Sequence, residues 1–325
     1  MLERPDIRDE AIERCLQENY GIAVRRIIFL PIGYDSTASV FRVEGANGVS
    51  YFLKTKSVPV SESVLQVPHF LREIGIEEVV APLPTRTGLL SAALADRFTA
   101  ILYPFVEGRM GAKGGLSLAQ WTKLGQILQQ IHRSAPSADL LAVMRRERFL
   151  PLKGELAWEI HREIAERAFT DALSRELAAF WQERRSQIEA IFQRTEALGR
   201  LAQARGAPLL LCHADIHIFN VLVDPADQIY VIDWDETILA PKERDLMFLV
   251  DGTNSEGALH PNEAAFRQGY GPVEIDPTIL AFYRYEWVVQ EIAEFGKQVL
   301  DETGGEITRR DGLRHFRGLF APGDV

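Results

Sequence analysis

The chain has 325 residues, 46% of them hydrophobic and 25% charged, with 36 basic against 46 acidic side chains for a net charge of −10. That balance gives a globular protein with ample core. It argues against a general binder of nucleic acid or anionic membranes and suits a cationic small-molecule partner. Two cysteines, Cys15 and Cys212, make neither a disulfide framework nor a zinc pattern; with no apolar signal core and no membrane-length apolar run, a cytoplasmic protein is expected.

Ile7, Ala11, Ile12 and Leu16 recur at helical spacing and predict an amphipathic helix over 6–20. The pattern then changes to strands. Residues 27–32 are apolar, 40–44 alternate, and 50–55 return after the turn signal Asn47-Gly48. A helix is predicted over 61–74, kinked by Pro68 unless the proline lies near an end. Strands over 89–94 and 98–103 complete a five-stranded antiparallel sheet. Beyond Gly108-Arg109-Met110-Gly111 the chain turns helical. Ser117-Leu118-Ala119-Gln120 reads as a capping box, and Leu118, Trp121, Leu124, Leu128 and Ile131 follow on one helical face. Further helices are predicted over 154–168, 174–204, 242–250, 277–300 and 308–318. The expected organisation is α+β: a lobe over 1–105 with the sheet and one main helix, and a mostly helical lobe over 106–325.

The densest chemistry lies in His213-Ala214-Asp215-Ile216-His217-Ile218-Phe219-Asn220 and in Val231-Ile232-Asp233-Trp234-Asp235, each bracketed by β-type segments. Any one of these residues is ordinary in a turn; together they supply the parts that phosphoryl transfer from ATP requires. Asp215 is the candidate catalytic base. His213 is grouped with it, holding the loop by hydrogen bonds rather than passing protons. Asn220, through its amide oxygen, and Asp233, through its carboxylate, are the candidate Mg²⁺ ligands, because a hard cation prefers oxygen. Asp235 is a weaker metal candidate or a substrate ligand. His217 is open between loop support and phosphate contact.

On the nucleotide side, the turn around Gly33 carries Ser36 and Thr37 as candidate phosphate contacts. Lys54 and Lys56 share one strand face by period two, and Lys54 is favoured as the phosphate lysine. Its expected partner is Glu62, with Glu73 as the alternative on the same helix face. Tyr103 and Phe105, where the last sheet strand leaves for the second lobe, are the candidate adenine contacts by their order in the chain. On the predicted late helix, Tyr283, Glu286 and Trp287 are candidate substrate contacts, weighed against a core or solvated role.

The form H-x-D-x-H-x-x-N followed by I-D-W-D resembles the aminoglycoside phosphotransferase and choline kinase group, not the protein kinases with H-R-D and D-F-G. The wider run is similar to the spectinomycin phosphotransferases within that group. It includes Tyr51-Phe52-Leu53-Lys54, Tyr103-Pro104-Phe105 and Ala240-Pro241-Lys242-Glu243-Arg244-Asp245-Leu246-Met247-Phe248. The resemblance implies a bilobal protein-kinase-like fold, ATP and Mg²⁺, and transfer of the γ-phosphate to a hydroxyl of spectinomycin or a related aminocyclitol antibiotic. It also implies that Asp245 braces the catalytic loop. A metabolic kinase for choline, homoserine or a sugar uses the same catalytic set. A metal-dependent hydrolase built on the same His and Asp residues leaves Lys54 and the predicted sheet without a role.

Overall fold

The computed structural model describes residues 3–33, 35, 37–250 and 260–321. In chain order the elements begin with α1 (Asp9–Tyr20), β1 (Val24–Leu30), β2 (Ala38–Gly45), β3 (Ser50–Lys56), α2 (Glu62–Glu73), β4 (Ala92–Leu94) and β5 (Phe98–Pro104). They continue with β6 (Arg109–Met110), α3 (Leu118–Arg133), α4 (Ala138–Val143), α5 (Gly154–Glu166), α6 (Ala172–Glu183) and α7 (Arg185–Gln203). The last are β7 (Leu210–Cys212), β8 (Val221–Val223), β9 (Ile229–Val231), β10 (Ile238–Ala240), α8 (Glu243–Leu246), α9 (Pro261–Tyr270), α10 (Pro277–Leu300) and α11 (Glu306–Gly318). The described residues pack as two compact units. One takes Arg4–Glu147 and Pro208–Ile275; the other takes Glu3, Arg148–Ala207 and the chain from Asp276 onward. The sheet and the segments carrying Asp215 and Asp233 therefore belong to the same unit, and position 105 falls inside it.

In that unit the sheet is five-stranded and antiparallel throughout, as predicted, and its order is β1-β2-β3-β5-β4. Alternation decides its faces. Phe41, Val43 and Leu53 turn to one side, where they bury against Ile12, Cys15 and Leu16 of α1. Lys54 and Lys56 are thereby on the other side. Helix α2 runs on through Pro68 near its middle. The proline removes one helix hydrogen bond, but Val64, Leu65, Val67 and Leu71 are buried around it, and that packing holds the helix.

Two small ladders hold the segments carrying Asp215 and Asp233. Strands β6, β8 and β9 form a three-stranded antiparallel sheet, and β7 pairs with β10. The β7–β8 loop and the β9–β10 segment are thus each held at both ends. Helix α3 opens with the predicted capping box: the Ser117 hydroxyl accepts the Gln120 N–H at 3.2 Å, and the Gln120 side chain accepts the Ser117 N–H at 2.9 Å. Helix α9 lies along α3 with main chain against main chain. A Cβ at Gly125 would strike the Phe266 carbonyl, and one at Gly269 the Thr122 carbonyl.

The other unit is helical. Helices α5, α6, α7, α10 and α11 bury Ile160, Trp181, Ile188, Phe192, Val289, Ile292 and Phe316. The single helix expected over 174–204 is two, α6 and α7, separated at Arg184, whose φ of −109° and ψ of 13° leave helical geometry. The helix expected over 242–250 shrinks to the single turn of α8. Elements β6, α4, α9 and β10 are not predicted from periodicity. Among the described residues no helix is long and apolar enough to cross a membrane.

Candidate active site

Asp215 lies half-buried in the β7–β8 loop. The Asn220 side-chain nitrogen donates to its Oδ2 and to its backbone carbonyl, both at 2.9 Å. His217 Nε2 stands 3.3 Å from its Oδ1. Burial disfavours the charged carboxylate. The hydrogen bond and charge of His217, with the more distant Arg244, outweigh that and hold the Asp215 pKa below its ordinary value. The carboxylate is therefore ionised and oriented. With its nitrogen turned to Asp215, Asn220 keeps its amide oxygen for another partner.

His213 is fully buried. Its Nδ1 accepts the Asp215 N–H at 3.2 Å, and its Nε2 lies 2.9 Å from the Ile232 carbonyl oxygen. An N–H at one nitrogen and a carbonyl at the other select the neutral tautomer with the proton on Nε2. His213 therefore ties the loop to the end of β9, and its ring also packs on Trp234 with centroids 4.5 Å apart.

Asp245, entirely buried, receives the backbone N–H groups of His213 at 3.0 Å and Ala214 at 2.5 Å, and His132 Nε2 at 2.8 Å. Ala214 has a φ of 73°, a left-handed backbone that costs a non-glycine residue about 1–2 kcal/mol. The two Asp245 oxygens hold it there. On its other side His132 meets the Tyr270 hydroxyl at 2.6 Å. His132 went unnoticed in the sequence because only the fold brings α3 beside the loop.

Lys54 is nearly buried, and its Nζ stands 2.9 Å from Asp233 Oδ1 and 2.9 Å from Asp235 Oδ1. Burial alone would lower its pKa; the two carboxylates reverse that and raise it well above the ordinary lysine value. The expected pair with a helix glutamate is not formed. Glu62 is exposed and reaches Gln66, while Glu73 reaches His69. The reason is packing: the face that α2 buries is apolar, and both glutamates lie off it. Asp235 instead joins the lysines, with its second oxygen 3.0 Å from Lys56 Nζ.

The remaining candidates divide. Thr37 directs its N–H and its hydroxyl to Asp35 Oδ1, each at 2.7 Å, and Asp35 in turn pairs with Lys56. Ser36 lies outside the described residues. Tyr103 is half-buried with its ring edge-on to Phe52, and Phe105 carries the Arg42 guanidinium 4.4 Å above its ring. In the helical unit, Tyr283 is completely buried and packs on Phe149 and Phe282, so its ring belongs to the core rather than to a ligand-facing surface. Glu286 is buried and accepts the Leu152 N–H at 3.0 Å, and Trp287 is half-buried against the helical core.

Residues 28–301 match the model of the phosphotransferase enzyme family (APH), and the chain belongs to that family. Its fold is the kinase-like α+β fold of the group, and it is a small-molecule kinase that phosphorylates a hydroxyl. The spectinomycin phosphotransferase APH(9)-Ia, solved with ADP and spectinomycin, is 30% identical over 98% of this chain and 96% of that one, with a TM-score of 0.82. Its AMP-bound complex superposes with a TM-score of 0.78 at the same identity and coverage. An amicoumacin kinase in complex with AMP-PNP, Ca²⁺ and Ami shares the fold at 16% identity, covering 96% of this chain and 92% of its own, with a TM-score of 0.63. No curated protein sequence matches the chain.

Proposed function

We propose that this protein is an ATP- and Mg²⁺-dependent O-phosphotransferase acting on a hydroxyl of a small cationic aminocyclitol, most closely spectinomycin. The observation that carries the reading is Asp215 held ionised by His217 and oriented by Asn220, in the same compact unit as the Lys54–Asp233 pair. The donor set fits the groups involved. An amide oxygen on Asn220 and a carboxylate on Asp233 are hard ligands of the kind Mg²⁺ takes, and Lys54 is a buried cation suited to phosphate oxygens. When bound, the Mg²⁺–ATP complex supplies the γ-phosphoryl group.

The chain's own residues do the rest. Asp215 orients the acceptor hydroxyl and takes its proton. Asn220 fixes the Asp215 rotamer with one end of its amide and offers the other end to the cation. Lys54, now on Asp233 and Asp235, would hold the phosphates when the nucleotide is bound. Tyr103 and Phe105 would hold the adenine, and Thr37 would meet the phosphates. We assign 1–105 to nucleotide binding and 106–325 to catalysis and substrate binding. The acceptor is drawn from the 30% identical enzyme solved with spectinomycin and from the net charge of −10, which suits a cationic substrate.

ADP release by the purified protein with Mg²⁺–ATP tests this against spectinomycin, kanamycin, hygromycin, choline and homoserine. Stimulation by spectinomycin alone is expected. Stimulation by choline or homoserine instead keeps the kinase and overturns the antibiotic.

A further inference from the structure

Three carboxylates and two ammonium groups alternate in a row across the nucleotide side. Asp233 meets Lys54, Lys54 meets Asp235, Asp235 meets Lys56, and Lys56 meets Asp35. The row continues into the β1–β2 turn, because Asp35 also holds the Thr37 N–H and hydroxyl. We propose that Lys56 is a positioning residue for nucleotide binding: it anchors the β1–β2 turn through Asp35 and holds Asp235 away from a two-oxygen grip on Lys54. The inference rests on the kinase reading above.

The geometry gives Lys56 this place. It is two residues beyond Lys54 on β3, so both side chains leave the same face of the strand, about 7 Å apart along it. One Asp235 carboxylate bridges them, with Oδ1 on Lys54 at 2.9 Å and Oδ2 on Lys56 at 3.0 Å. The Lys56 side chain is only 13% exposed, so these contacts are largely shielded from water and salt. Without Lys56, Asp235 keeps Lys54 as its one cation partner among the described residues and turns both oxygens to it. A phosphate then competes for Lys54 against a bidentate carboxylate. At the same time Asp35 loses the Lys56 ammonium, and the turn carrying Thr37 is left to the contacts of the Thr37 carbonyl with Ser57 beyond β3. Both effects weaken nucleotide binding before they touch the acceptor hydroxyl. Asp215 is outside the row, so proton removal is left in place.

Titration of the full-length protein with ATP in excess Mg²⁺, by calorimetry and by initial rates, tests the assignment. Lys56→Met is expected to raise Kd and KM for ATP about tenfold while kcat stays within about threefold. Lys56→Arg, which keeps the charge, should recover most of that loss. Asp35→Asn should raise KM on its own, and the double variant should be no worse than Lys56→Met, because both substitutions break the same contact. A Lys56→Met protein that binds ATP like the wild type overturns the inference and leaves the kinase assignment standing. So do fully additive effects of the two substitutions, or an equal loss in Lys56→Arg. A wild-type chain with no affinity for ATP overturns both.

Discussion

Replacing Asp245 with asparagine changes one oxygen for an NH₂ group in a site with no room to compensate. The two oxygens of Asp245 accept different backbone N–H groups, Oδ2 from His213 and Oδ1 from Ala214, and Oδ2 also faces His132 Nε2. Whichever way the amide is turned, one donor must face another. A buried backbone N–H left without an acceptor costs about 1–3 kcal/mol. Loss of the carboxylate charge weakens what remains, since hydrogen bonds to charged groups are worth about 1.5–3 kcal/mol. The expected destabilisation is therefore about 3–5 kcal/mol. It should be accompanied by a fall in kcat, because Ala214 loses the contact that holds its left-handed backbone next to Asp215. Urea unfolding followed by tryptophan fluorescence reads the first effect, and Trp234, buried on His213, reports the site itself. ADP release reads the second. A variant destabilised by less than about 1 kcal/mol with unchanged kcat would refute the bracing role. The wild-type brace should also depend on pH. Burial opposes the Asp245 charge, but His132 and the Ala214 N–H hold its pKa below the unfolded value. Its contribution is thus complete above about pH 4 and is lost as pH falls through the lower folded value.

Asp215→Ala should retain ATP affinity and lose about 10²–10⁴ in kcat, measured by calorimetry and ADP release; wild-type turnover would remove Asp215 from the role of base. Because the Asp215 pKa is lowered, kcat/KM should show no aspartate limb above about pH 4, and an acid limb that appears only below it. Asp233→Ala should abolish the Mg²⁺ dependence of ATP affinity, and equal affinity with and without Mg²⁺ would take Asp233 out of the metal site. Gly269→Ala should cost about 2–4 kcal/mol in urea unfolding, since its Cβ meets the Thr122 carbonyl of α3; a neutral result would mean that the helices separate freely.

The Asp215 segment was legible because its candidate groups are close together in the chain. Asp215 and Asn220 sit in one loop and bond directly, so linear spacing carries their geometry. The antiparallel sheet was legible because turns and alternation are local signals. The partner of Lys54 was not. Its carboxylates lie 179 residues away in sequence for Asp233, and helix periodicity cannot tell a glutamate that faces the sheet from one that faces water. Asp35 was passed over for the same reason, although it stands in the turn that was singled out. Tyr283 shows the limit from the other side: an aromatic on a long amphipathic helix fits a ligand surface or a core, and only burial separates the two. The break at Arg184 had no glycine or proline to mark it. Helix α9 did carry a signal in His260-Pro261, a cap followed by proline at the first helical position.

The glycine contact between α3 and α9 acts as a ruler. Side chains meeting between two helices have rotamers to adjust, so a helix pair packed through them tolerates a shift of several tenths of an ångström. A carbonyl resting on a glycine α-carbon has no such slack, and Gly125 and Gly269 set that stop from opposite helices. The calibrated length is passed on. His132 near the end of α3 and Tyr270 at the end of α9 meet at 2.6 Å, and His132 meets Asp245 at 2.8 Å. Two residues without functional groups thereby set where the loop holding Asp215 is anchored. A methyl group added there would be felt as chemistry, at a distance, through three hydrogen-bonded side chains.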